Sequence, residues 1–104
     1  MALPPLTPEQ RAAALEKAAA ARRARAELRE RLKHSKTSLA EVLAEGEHDE
    51  AIGKMRVSAV LESMPGVGKV RAQRIMERLS ISASRRVRGL GAHQRAALER
   101  EFTD

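Results

Sequence analysis

The chain has no cysteine, tryptophan or tyrosine, and Phe102 is its one aromatic residue among 104. Without cysteine there is no disulfide, no thiolate nucleophile and no cysteine-based zinc site. With one ring available, the core must come from Leu, Val, Ile, Met and Ala. That composition suits packed helices better than a β-sandwich, whose strands favour aromatic and β-branched residues. No apolar run approaches the roughly 20 residues needed to cross a membrane. Met1 to Leu6 is short, holds two prolines and leads into a charged segment, unlike a secretory signal, so a cytoplasmic location is expected. Acidic residues are also the minority: 14 Asp and Glu face 20 Lys and Arg, for a net charge of +6 and an isoelectric point near 10.7. Such a balance speaks of partners rather than of fold, and the natural ones are nucleic acid or an acidic membrane surface.

The length fits one domain with a modest core. Charge is segregated along it. Residues 1–33 carry a net +4, residues 34–64 a net −3 and residues 65–104 a net +5. The first helix is expected from Pro8 to about Lys33: Thr7 is a good N-cap, Pro8 suits the first helical position, and Gln10 can close a capping box. Its only large apolar residues are Leu15, Leu28 and Leu32. The distal half should therefore pack on the domain while the proximal half projects. Arg22, Arg25, Arg29 and Lys33 recur at spacings of three and four, forming one basic face. After a break at His34 to Lys36, Thr37 or Ser38 can cap a second helix with Leu39, Val42 and Leu43 inward, ending near Gly46. A short helix is expected around Asp49 to Lys54 and another from about Val57 to Met64, with Val57, Val60, Leu61 and Met64 on its buried face.

The segment Met64-Pro65-Gly66-Val67-Gly68-Lys69-Val70-Arg71-Ala72 carries the strongest signal. Pro65 stops a helix, two glycines flank one apolar residue, and a new helix begins near Lys69. Glycine grants backbone conformations closed to other residues and lets the chain approach a ligand closely. The free amides of the new helix, together with its dipole, form an anion site. Lys69, Arg71 and Arg74 stand beside it, and Val67 should point inward as a pin. The pattern matches the helix-hairpin-helix motif, which holds DNA phosphates without reading bases. A degenerate copy follows 23 residues later, Gly89-Leu90-Gly91 to Leu98, without the proline. Just before it stands Ser82-Ala83-Ser84-Arg85-Arg86-Val87-Arg88. Ser82 or Ser84 can cap a short helix there, and Val87 should face inward. Arginine suits bidentate phosphate contact and minor-groove insertion.

Other chemistries find little support. Glu47-His48-Asp49-Glu50 is acidic, but consecutive residues do not converge on one ion, and no metal or cofactor is expected. His34, His48 and His93 lie far apart with no paired nucleophile, so no enzyme is expected either.

Over Ala12 to Phe102 the chain resembles the actinobacterial integration host factor family. The stretches that carry the likeness are Arg29-Glu30-Arg31-Leu32-Lys33, Ser38-Leu39-Ala40-Glu41-Val42-Leu43, Met64 to Lys69, and Ser84 to Gly91. The resemblance implies an all-α fold related to the helix-two-turns-helix element of a small-subunit ribosomal protein, with a long N-terminal helix. It also implies a nucleoid-associated, largely sequence-nonspecific protein that binds and bends duplex DNA and assists phage integrase. The expected division is 1–36, a tail and long basic helix, and 37–104, a helical DNA-binding domain, together one unit. The expected contacts are Gly66, Val67, Gly68, Lys69 and Arg71 at the hairpin; Arg85, Arg86, Arg88 and Gly91 at a second clamp; and Arg22, Arg25 and Arg29 along the first helix. A monomer is expected, with no membrane partner. An RNA-binding or ribosome-associated role is the alternative. Against it stands the scarcity of aromatic residues for stacking bases. A protein-only adaptor would want a sustained heptad pattern, which the first helix lacks.

Overall fold

A computed structural model describes residues 4–103. The signal-segment reading of Met1–Leu6 therefore falls partly, at Met1–Leu3, outside the described residues. The fold is all-α. Helix α1 spans Pro8–Lys33, α2 Leu39–Glu45, α3 Glu50–Gly53, α4 Val57–Glu62, α5 Lys69–Arg78 and α6 Ala92–Glu101, with a 3₁₀ turn at Val87–Gly89. Extended pairing among the described residues is limited to an isolated antiparallel bridge between Arg56 and Arg86.

Local chemistry accounts for the boundaries. Thr7 and Gln10 cap α1 reciprocally: the Gln10 amide donates to Thr7 Oγ1 at 3.1 Å and the Thr7 amide to Gln10 Oε1 at 3.0 Å. Ser38 caps α2 by accepting from the Glu41 amide, and Asp49 caps α3 by accepting from the amides of Ala51 and Ile52. Helices α1 and α5 both end on a serine in the left-handed region, Ser35 at φ 56° and Ser80 at φ 58°. In each case the next amide reaches back five residues, Lys36 to the Arg31 carbonyl and Ile81 to that of Met76, which satisfies carbonyls the helix end would leave free.

Leu28 and Leu32 are fully buried and α1 contributes nothing else of that kind to the core, whereas Leu15 is 65% exposed. A 26-residue helix is about 39 Å long. Leu28 and Leu32 seat its last two turns in the core, its middle runs beside α3 with Lys17 3.7 Å from Glu50, and the turns before Lys17 stand clear, so the molecule measures 51 × 33 × 24 Å. The centre of the core is built from Leu28, Leu32, Val42, Val57, Val60, Leu61 and Leu98. Met64, expected inward, is half-buried at the core's edge.

The 3₁₀ turn lies close against the α2–α3 junction. A Cβ on Gly46 would stand 2.6 Å from Val87 Cγ1, and one on Gly53 would stand 2.6 Å from the Gly46 carbonyl. Only glycine lets these segments approach so closely. Two backbone bonds complete the attachment, from the Val57 amide to the Arg85 carbonyl and from the Val87 amide to the Met55 carbonyl, each 2.9 Å. The segment holding Arg85 to Arg88 is thereby fixed to the body. Ser82 and Ser84 do not cap it as expected: the Ser84 amide donates to Ser82 Oγ within a turn, and the 3₁₀ turn begins after Arg86 with no side-chain cap.

Candidate nucleic-acid interface

The hairpin between α4 and α5 has the form the sequence suggested, with one exchange of roles. Gly66 adopts φ +76°, the conformation that favours glycine. Gly68 is extended, at φ −89° and ψ −178°, so its lack of a side chain is not a conformational need. A Cβ there would meet nothing within 4 Å, which leaves open space over the start of α5. As N-cap, Gly68 offers no side-chain acceptor, so the first-turn amides of α5 remain available to an anion. Val67 is buried and bonds back through its amide to the Met64 carbonyl at 3.1 Å. It is the pin of the hairpin and presents no surface of its own. Arg71 stays beside the loop by donating to the Gly66 carbonyl at 3.2 Å, and Lys69 is exposed.

The downstream copy is half a copy. Gly91 caps α6 in the same extended conformation as Gly68, and Leu98 is buried like Ile75. Gly89, the counterpart of Gly66, has no positive φ. Gln94 also occupies this end, accepting from the Gly91 amide and donating to the Ser80 carbonyl at 3.0 Å.

The three clustered arginines part company. Arg85 runs back along its own turn, donating to the Gly89 carbonyl at 3.1 Å, and its Nε is buried without a partner. Arg86 donates to the Lys54 carbonyl at 2.7 Å and lines a groove with Arg25, Arg29 and Arg56. Arg88 lies over Gly53, near Glu50, and lines a different small cleft with Glu47 and Arg95. Arg22 is exposed one turn nearer the N-terminus, outside that groove. Arg56 was not foreseen. It is a lone arginine between Met55 and Val57 in the sequence, and only the bridge to Arg86 places it at the site.

Carboxylates divide the cations into two sets. Arg31 holds Glu45 at 3.0 Å, Arg78 holds Glu101 through two bonds, and Arg95 holds Glu47 and Glu99. Glu50 sits between Lys54, at 2.7 Å, and Lys17. Arg31–Glu45, Arg78–Glu101, Arg95–Glu47 and Lys17–Glu50 tie separate segments together, and Glu45, Glu47 and Glu50 of the acidic middle are taken up in this way. The hydrogen bond from Arg78, followed by its charge, lowers the Glu101 pKa; Lys54 does the same for Glu50, with Lys17 adding to it. By contrast, Lys69, Arg71, Arg85, Arg86, Arg88, Arg22, Arg25 and Arg29 make no ion pair among the described residues, and neither does Arg56. No group of three potential metal-ligating side chains gathers among the described residues, and no helix there is long and apolar enough to cross a membrane.

Comparison with known proteins agrees with this geometry. Residues 32–102 match the S13-like H2TH domain family. The chain is 74% identical over 102 residues to the integration host factor of Streptomyces coelicolor, covering 98% of this chain and 95% of that one. It is 65% identical to the integration host factor of Mycobacterium tuberculosis, covering 98% and 97%. The chain belongs to the integration host factor family. A solved structure of a member, sIHF bound to an 8-bp palindromic DNA, superposes with a TM-score of 0.83 at 69% identity, covering 85% of this chain and 99% of that one. In this integration host factor fold the H2TH match begins within the last turn of α1 and ends at Phe102. The hairpin, Arg56 and the Arg85–Arg88 segment fall inside it, and Arg22, Arg25 and Arg29 precede it.

Proposed function

We propose that this member of the family is an architectural protein of the nucleoid that binds duplex DNA through its backbone, with little regard to sequence, and bends it. The observation that carries the reading is the uncapped start of α5, where free amides, a small exposed Gly68 and the unpaired Lys69 and Arg71 meet in open space. The relative bound to DNA supports it at the level of the whole fold. One phosphate run lies at the hairpin, on Gly66, Gly68, Lys69 and Arg71. A second lies on Arg85 and Arg86, with Gly91 and Arg88 at its margin and Arg25 and Arg29 across the groove. The division at 36/37 then has a role: 37–104 carries the hairpin clamp and the Arg85 and Arg86 side of the second, and the long helix adds Arg25 and Arg29 across the groove and extends the basic face through Arg22. Two clamps on one rigid body impose a bend when both engage. The added contacts offset an elastic cost of roughly 1–6 kcal/mol. The proposed working form is a monomer in the cytoplasm, without catalytic activity of its own, that shapes DNA for a phage integrase.

Backbone recognition makes binding a counterion-release process. Labelled duplexes of several sequences, titrated over a range of salt, should give log affinity falling linearly with log salt at a slope of about −5 to −7, for about five to eight neutralised phosphates. A nearly flat dependence contradicts the reading. So does a preference above about a thousandfold for one sequence, or tighter binding to structured RNA than to any duplex.

A further inference from the structure

We propose that the groove between α1 and the Arg56–Arg86 bridge is an oligophosphate site: it takes a short run of linked phosphates, such as a triphosphate, and in doing so competes with DNA. This rests on the DNA reading only for the competition. The groove has a volume of about 370 Å³ and is lined by Arg25, Arg29, Arg56, Arg86 and Lys54. The cations come from three separate parts of the chain: the distal half of α1, the α3–α4 junction and the segment after α5. Lys54 is held by Glu50 at 2.7 Å, and none of the four arginines has a carboxylate partner among the described residues.

The site is built rather than accidental. The bridge sets Arg56 beside Arg86, and Arg86 is fixed by its 2.7 Å bond to the Lys54 carbonyl. Arg25 is half-buried. Met55, buried, and Ala59, half-buried, complete the lining. Arginines so placed keep their full charge and offer planar forks that match phosphate oxygens.

The charge count separates two sources of phosphate. One DNA strand carries a single charge per phosphate and a sugar between successive phosphates, so a groove of about 370 Å³ takes few of its charges. A linear triphosphate joins its phosphates through shared oxygens and brings more negative charge into the same space, where four arginines meet it. Arg86 belongs both to this groove and to the cleft it shares with Ser82, Ser84 and Arg85, so an occupied groove removes a cation from the second DNA clamp.

The test is calorimetric titration of inorganic tripolyphosphate into the full chain at low salt, with sulfate at matched ionic strength as reference. Binding at one site is expected. Arg29→Ala with Arg56→Ala should weaken it at least about tenfold, and Arg29→Gln with Arg56→Gln should do the same with less change of bulk. Both side chains are exposed and bond to nothing among the described residues, so the fold should not depend on them. Arg11→Ala with Arg100→Ala removes the same charge outside the groove and its basic face and should leave binding within about twofold. Saturating tripolyphosphate should also weaken duplex binding. The proposal is overturned by absence of binding at millimolar tripolyphosphate, or by equal losses in the Arg11/Arg100 variant. It is equally overturned if the Arg29/Arg56 variants lose duplex affinity while tripolyphosphate binds no form of the protein, since the groove then serves the DNA backbone alone. If tripolyphosphate follows the expected pattern and no duplex binds, the groove stands and the DNA reading falls.

Discussion

Ser35 and Ser80 occupy left-handed backbone positions where a Cβ costs roughly 1–2 kcal/mol per residue. Both are exposed, so packing does not require a side chain at either position. Ser80→Gly should therefore raise stability by about 1 kcal/mol, visible as a higher midpoint in urea with an unchanged slope. No gain would mean that the Ser80 turn is held by contacts beyond its backbone. The hairpin glycines should divide in the opposite way. Gly66→Ala introduces strain at φ +76° and should cost about 1–2 kcal/mol. Gly68→Asp enters open space and should leave the fold intact while weakening DNA binding, because it adds bulk and negative charge where phosphate approaches. A folded Gly68→Asp variant with unchanged duplex affinity would contradict the anion-site reading. The glycines themselves were legible in the sequence, but not which of them needs a positive φ. That is decided by the path of the chain between two helices rather than by composition. The serine caps were not legible, because serine is an ordinary residue at a helix end and a rare one at positive φ.

At the scale of elements, two leucines supply the fully buried contacts of α1, with Arg31–Glu45 and Lys17–Glu50 beside them. Leu28→Ala or Leu32→Ala should each cost about 2–5 kcal/mol, measured by denaturant unfolding, whereas Leu15→Ala should change stability by less than about 0.5 kcal/mol. Equal effects would mean that the proximal half is packed rather than projecting. Helices α5 and α6 are joined at their C-terminal ends by Arg78 and Glu101. The pair lowers the Glu101 pKa, so its contribution is fully present above the ordinary carboxylate range and is lost as pH falls through the folded-state value. The melting-temperature difference between wild type and Glu101→Gln should thus be present at pH 7 and shrink as pH falls below about 4. A difference independent of pH would assign the effect to packing. Side-chain caps at Thr7, Ser38 and Asp49 and the apolar spacing of α4 are written within a few residues and made those helices readable. Helices α5 and α6 begin on glycines without side-chain caps and were readable only from the glycine pattern, and the short helix expected after Ser82 or Ser84 is a 3₁₀ turn without such a cap. The bridge between Arg56 and Arg86, and the stacking of the 3₁₀ turn on Gly46 and Gly53, join segments some 30 or more residues apart, and no local pattern announces them.

Over the whole molecule, the separation of charge in the sequence has a structural reason. Half of the acidic middle, Glu45, Glu47 and Glu50, is held by cations, and Arg31, Arg95 and Lys17 thereby join separate segments, while the arginines of the candidate interface are left without a carboxylate partner among the described residues. The hairpin lies at the C-terminal end of α4, while Arg56 and Arg86 lie at its N-terminal end. Two phosphate clamps at opposite ends of one short rigid helix are the basis of the proposed bend. The sequence presents both proposed clamps as clusters of residues. It grouped Arg88 with Arg85 and Arg86, which the backbone turn separates, and it missed Arg56. The most direct measurement is the end-to-end distance of a duplex labelled at both ends for fluorescence energy transfer, at saturating protein and low salt. Wild type should shorten it. Arg85→Ala with Arg86→Ala should still bind through the hairpin, with a salt slope shallower by about one unit per lost contact, and should leave the duplex nearly straight. If that variant shortens the distance as much as wild type does, the second clamp is not at Arg85 and Arg86 and the two-clamp account is wrong.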